Sequence, residues 1–143
     1  MIATERKNNS TILEKSVDYL KEKGFTDIKA ELPGYESPKS FIRKSNGLNV
    51  SPDISATKNG NKYYFDISLK TEASKLLKSK WLLLDTVARL KSLSFKIITT
   101  TGHVRYTDKL LEEVNLSNKT PIRIWIKRYI CWLMVKDFGI PFA

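Results

Sequence analysis

PDISATKNGNKYYFDISLK, residues 52–70, reads as two strands joined by a tight turn. Lys58-Asn59-Gly60-Asn61 forms the turn, because Asn and Gly both tolerate positive φ and suit a two-residue hairpin. From Lys62 to Lys70 aromatic and β-branched residues predominate. A period of two sets Tyr64, Asp66, Ser68 and Lys70 on one face and Tyr63, Phe65, Ile67 and Leu69 on the other. One face is apolar, while the other carries a carboxylate, a hydroxyl and an amine. The preceding strand, residues 50–57, brings Asp53 alongside, so the two carboxylates can converge.

Downstream, Glu72 to Leu90 is rich in helix formers, with Leu76, Leu77, Leu83, Leu84, Val87 and Leu90 as its expected buried stripe and Lys75, Lys78, Asp85 and Arg89 elsewhere. A strand over residues 94–101 ends at Gly102, and residues 107–114 suit a short helix capped by Thr107. Upstream, Asn9-Ser10-Thr11 offers caps for an amphipathic helix over 10–23, which Gly24 ends, and residues 25–32 suit a strand. Pro33, Gly34, Pro38, Ser45, Asn46 and Gly47 mark residues 32–52 as a loop. Beyond Pro121, alternating Ile122, Ile124 and Ile126 run into an apolar stretch that suits strand or helix alike. The order helix, three strands, helix, strand predicts an α/β fold with a central mixed sheet flanked by helices.

The chain has 143 residues, with 25 Lys plus Arg against 15 Asp plus Glu, a formal charge of +10. That length suits one domain over 1–143, with a core of about 10–102 and a C-terminal extension over 103–143. The single cysteine, Cys131, excludes an intramolecular disulfide and a paired-cysteine zinc site. The polar N-terminus and the lack of a long apolar run predict a cytoplasmic protein with no membrane partner. The positive charge favours an anionic polymer, nucleic acid first, because neutralised phosphates release counterions. No Gly-rich phosphate loop or dinucleotide fingerprint is present, which disfavours an NTPase or a nicotinamide enzyme.

Asp53 and Asp66 on adjacent strands make a plausible open site for a hard divalent cation, which prefers carboxylate oxygens and keeps several waters. Lys70, on the Asp66 face, could orient a water or neutralise charge building on a phosphate. The competing structural reading pairs Asp66 with Lys70 or a helix lysine and makes Asp53 a turn residue. His103 follows a strand end and suits a surface polar role, Cys131 a buried core position and Trp81 packing.

The element order, Pro52-Asp53 and Asp66 resemble the PD-(D/E)xK nuclease superfamily. SVDYLKEKGF (16–25), Pro52-Asp53-Ile54 and GNKYYFDISLK (60–70) are similar to segments of archaeal Holliday junction resolvases and related small nucleases. The resemblance spans roughly the first hundred residues and implies a restriction-endonuclease-like core. It further implies Mg2+ or Mn2+ held by Asp53, Asp66 and the Ile67 carbonyl, with Glu14 as a helix-borne acid that aids metal binding. DNA, branched DNA included, is the implied substrate, and a homodimer would set two sites on opposing strands. The family places lysine two residues after the second acid, where this chain has Ser68. Lys70 takes that role only by reaching back about 7 Å at ~3.3 Å per residue. Otherwise Ser68-Leu69-Lys70 forms the motif with Ser68 in the acid's place, or Lys75 or Lys78 supplies the amine, or activity is lost. In the last case the chain is a non-catalytic nucleic-acid-binding module; a basic protein-interaction domain is a third reading. Lys39, Arg43 and Lys44 before the site, and Lys75, Lys78 and Lys80 after it, are the candidate DNA-backbone contacts.

Overall fold

The computed structural model describes residues 10–45 and 47–124. The chain forms α1 (Ser10–Glu22), β1 (Thr26–Ala30), β2 (Phe41–Arg43), β3 (Leu48–Val50), β4 (Ile54–Lys58) and β5 (Asn61–Ser68). It continues as α2 (Ser74–Leu90), β6 (Ser94–Thr100), a single 3-10 turn (Thr101–His103), α3 (Val104–Glu113) and β7 (Ile122–Ile124). The main sheet has the order β1-β4-β5-β6-β7. β4 pairs antiparallel with β1 and β5, whereas β6 pairs parallel with β5 and β7. The sheet is therefore mixed, and the parallel β5–β6 pair requires a crossover, which α2 provides.

The two faces of β5 direct the layering. Phe65, Ile67 and Leu69 pack with Leu13, Val17 and Leu20 of α1 and with Ile98 and Ile124. Tyr64 packs with Leu77, Trp81, Leu84 and Ala88 of α2, Leu110 and Leu111 of α3, and Phe95 and Ile97. The period of two thus reads correctly, and it sends the Asp66 side chain toward α2. At the hairpin, Asn59 and Gly60 have φ of 53° and 78°, and Lys58 pairs with Asn61. Both turn residues adopt the left-handed conformation that a type I′ turn requires.

Three expectations change. The supposed loop 32–52 contains the β2–β3 hairpin, a separate two-stranded sheet too short for periodicity to reveal. The short helix starts at Val104, and Thr107 lies inside it, back-bonding the His103 carbonyl at 2.9 Å rather than capping it. The buried stripe of α2 is Leu77, Lys80, Trp81, Leu84, Asp85 and Ala88, while Leu76 and Leu90 are 43% and 80% exposed. The helix is rotated so that a lysine faces the sheet, a choice that the carboxylates beneath it explain. The described part of the expected C-terminal extension, residues 103–124, supplies α3 to the core and β7 to the sheet. Of the undecided segment from 121, Ile122–Ile124 is strand; Ile126, Cys131 and the rest lie outside the described residues. No helix among the described residues is long and apolar enough to cross a membrane.

Candidate active site

The β4–β5 ladder closes at the Ile54↔Phe65 pair, and Asp53 occupies the next position along the chain. With the ladder ended, the Ile67 N–H donates to Asp53 Oδ2 at 2.8 Å. A side chain thus replaces the strand carbonyl that would otherwise satisfy this buried amide. Asp66, one residue earlier on β5, points to the other side. Its Oδ2 accepts from the Trp81 indole N–H at 2.8 Å, and its Oδ1 lies 2.7 Å from Lys80 Nζ. Lys80 Nζ is also 3.4 Å from Asp53 Oδ1. Two strands and the crossover helix therefore bring two carboxylates to one ammonium.

All three charges are withdrawn from water: Asp53 and Asp66 are 0% exposed and Lys80 is 5% exposed. Desolvation raises the pKa of Asp66, the negative charge of Asp53 raises it further, and Lys80 opposes both. The charge of the chain's N-terminus acts on Asp66 in the same direction as Lys80. Buried ion pairs contribute little net stability even when they are balanced.

Carboxylates are the donor type that a divalent cation of the Mg2+ kind takes, although both are fully buried here and Lys80 lies against Asp66. Such ions are held through one or two carboxylates, with water and phosphate filling the other positions. Among the described residues no third Asp, Glu, His or Cys joins the pair. Glu14 is exposed on α1, which packs on the opposite face of the sheet, so the structure does not bring it to the carboxylates.

The expected lysines are elsewhere too. Lys70 is exposed, beyond the end of β5, and its backbone N–H donates to His103 Nδ1 at 2.9 Å. Lys75 is exposed, and Lys78 pairs with Glu113 at 3.2 Å, which engages an ammonium expected to hold DNA. Arg43 and Lys44 are exposed at the β2–β3 turn. Ser68 is fully buried, with its Oγ 2.7 Å from Thr107 Oγ1, which in turn lies 3.0 Å from Thr99 Oγ1. It joins β5, β6 and α3 through hydroxyls.

The structural reading of Asp66 as the partner of a helix lysine matches its contact with Lys80, although sequence reasoning did not single out Lys80 for it and read Trp81 only as packing. Two signals were present. Lys80 lies three residues after Leu77 and four before Leu84, on a buried helical face where lysine is rare unless paired. A buried tryptophan also needs an acceptor for its indole N–H.

His103 carries a separate consequence. Its Nδ1 accepts the Lys70 N–H, and desolvation, aided by the Lys70 charge, lowers its pKa below 6.5. The neutral ring is favoured in the folded state, so this contribution is complete above the unfolded pKa and is lost as pH falls through the folded one. Between pH 7 and pH 5 the denaturant midpoint of the wild type is expected to fall further than that of His103→Asn, which does not titrate. Equal slopes for the two proteins would contradict the assignment.

No family model, curated protein or solved structure compared with the chain matches it.

Proposed function

We propose that this chain is a metal-dependent endonuclease that hydrolyses DNA phosphodiester bonds. Asp53 and Asp66 are its Mg2+ or Mn2+ ligands and Lys80 its amine. One observation carries the reading: two fully buried carboxylates, one just before β4 and one on β5, meet a buried lysine from the crossover helix. Perturbed, buried charges gathered at one place are a mark of functional sites. The strand order around them supports a restriction-endonuclease-like core, since antiparallel β1, β4 and β5 precede a crossover helix and parallel β6. The net charge of +10 suits a polyanionic substrate.

A divalent cation bound at the carboxylates supplies activation of a water and neutralisation of charge at the phosphodiester. The chain's own residues prepare that chemistry. The Ile67 N–H fixes Asp53 and the Trp81 indole fixes Asp66, each through one carboxylate oxygen. Lys80 is placed to neutralise charge that develops on the phosphate, the part assigned from sequence to Lys70. Branched or junction DNA is the favoured substrate, with a homodimer to present two sites; both come from the likeness to junction resolvases.

A second reading, a non-catalytic nucleic-acid-binding module, is favoured by the 2.7 Å contact through which Lys80 occupies one side of Asp66. Cleavage of labelled linear, nicked and four-way-junction DNA with Mg2+ or Mn2+ separates the two. Metal-dependent cutting by the wild type, reduced at least about a hundredfold in a folded Asp66→Ala variant, is the expected result. If neither protein cuts while both bind DNA in a salt-dependent way, the binding module is correct.

A further inference from the structure

Away from the carboxylates, Phe41 of β2 covers Tyr64 of β5, with ring centroids 5.6 Å apart. Three lysines gather on this pair of rings. Lys39 Nζ and Lys91 Nζ lie 5.8 and 4.9 Å from the Phe41 centroid, and Lys62 Nζ lies 5.8 Å from that of Tyr64. They come from three parts of the chain: the segment before β2, the start of β5 and the residue after α2. All three are exposed, and none has a carboxylate partner among the described residues. Their crowding is close enough to matter. The neighbouring Lys39 amine is the main cause that lowers the Lys91 pKa, followed by desolvation, and the charge of Lys62 acts in the same direction.

Attraction to the rings holds the ammonium groups in place but neutralises none of them. An anion with several oxygens set among them would do so. We propose that Lys39, Lys62 and Lys91 form a phosphate-binding cluster that grips the backbone of a nucleic acid outside the carboxylate site. The inference rests on the nucleic-acid half of the proposed function and adds to it a second point of attachment.

The spacing suits one polymer that reaches both places. Lys62 precedes Asp66 by four residues on the same strand and face, about 13 Å at ~3.3 Å per residue. Lys91 follows Lys80 by eleven residues, about 16 Å along a helix at ~1.5 Å per residue. At ~3.4 Å of rise per nucleotide these distances correspond to roughly four or five steps of a duplex. Contacts of this kind go to phosphates and are independent of base sequence.

The test is binding of the full chain to a fluorescent duplex of about 20 base pairs without divalent metal, from about 50 to 300 mM salt, so that cleavage plays no part. The variant Lys39→Gln/Lys62→Gln/Lys91→Gln is compared with Lys15→Gln/Lys23→Gln/Lys109→Gln, which removes the same charge elsewhere. The cluster variant is expected to lower the slope of log affinity against log salt by about 2–3, near 0.9 per lost phosphate contact, and to bind at least about tenfold more weakly at 0.1 M salt. The control is expected to change the slope by less than about 1. Single Lys62→Gln and Lys91→Gln variants, each with a loss of about 1 in slope, give the same reading if the triple variant folds poorly. Equal losses in the two triple variants, or an unchanged cluster variant, overturn the proposal and leave the nuclease reading intact. A wild type that binds no DNA even at low salt overturns both.

Discussion

Replacing Lys80 with methionine is expected to destabilise the protein by about 3–5 kcal/mol, the usual cost of removing one partner from a buried charge set. The volume of the side chain is nearly kept, so packing against α2's neighbours changes little. What changes is that Asp53 and Asp66 stay fully buried with no ammonium at 2.7 and 3.4 Å. The sign of the pH dependence follows from Asp66, whose pKa is already raised by burial and by Asp53 and is lowered only by opposing charges such as Lys80. Without that lysine the folded pKa rises further above its unfolded value. A raised carboxylate contributes stability below its unfolded pKa and loses it as pH increases through the folded pKa. The variant's deficit, measured as a shift in denaturant midpoint, should therefore be larger at pH 8 than at pH 5.5. A change below about 0.5 kcal/mol, the range of an ordinary surface substitution, would show that the three charges do not act as one set.

Lys80 is also where sequence reasoning and structure part most instructively. The strands were legible because alternation over residues 62–70 and the Asn59-Gly60 turn agree with each other, and together they put Asp53 and Asp66 on neighbouring strands. The α2 helix was legible as a helix but not in its rotation. Reading its leucines as the core stripe sets Leu76 and Leu90 inside, whereas they are 43% and 80% exposed and Lys80 is 5% exposed. The electrostatic demand of two buried carboxylates prevails over the tally of apolar side chains, and local rules commonly fail at sites of this kind. Lys70 failed for a different reason. The alternation continues past the end of β5, but the backbone leaves the sheet at Ser68 and turns the Lys70 amide to His103. Thr107 has the chemistry of a cap, yet three elements meet at its hydroxyl, a long-range fact that a local motif cannot contain.

The Asp53→Asn variant distinguishes function from architecture most sharply, because the two readings predict opposite signs. An asparagine there keeps an oxygen to accept the Ile67 N–H, now bonded to Asp53 Oδ2 at 2.8 Å, so no buried amide is orphaned. The closer contact, Lys80 to Asp66 at 2.7 Å, and the Trp81 bond to Asp66 involve neither oxygen of residue 53. The substitution removes one negative charge and leaves the contact between Asp66 and Lys80 in place. Stability without divalent metal is expected to be unchanged or higher, and the gain should increase with pH, because the Asp53 charge is one of the causes that raise the Asp66 pKa. Metal-dependent cleavage is expected to fall at least about a hundredfold, since one of two carboxylate ligands is gone. The rise in melting temperature on addition of millimolar Mg2+ to the wild type should disappear as well. A carboxylate kept only to hold β4 against β5 would behave in the reverse way. Its loss would lower stability by about 1–3 kcal/mol and leave any response to Mg2+ unchanged. Removal of Asp53 that leaves the fold as firm as before while ending the response to metal would show that the second buried acid at the end of the β4–β5 ladder serves chemistry.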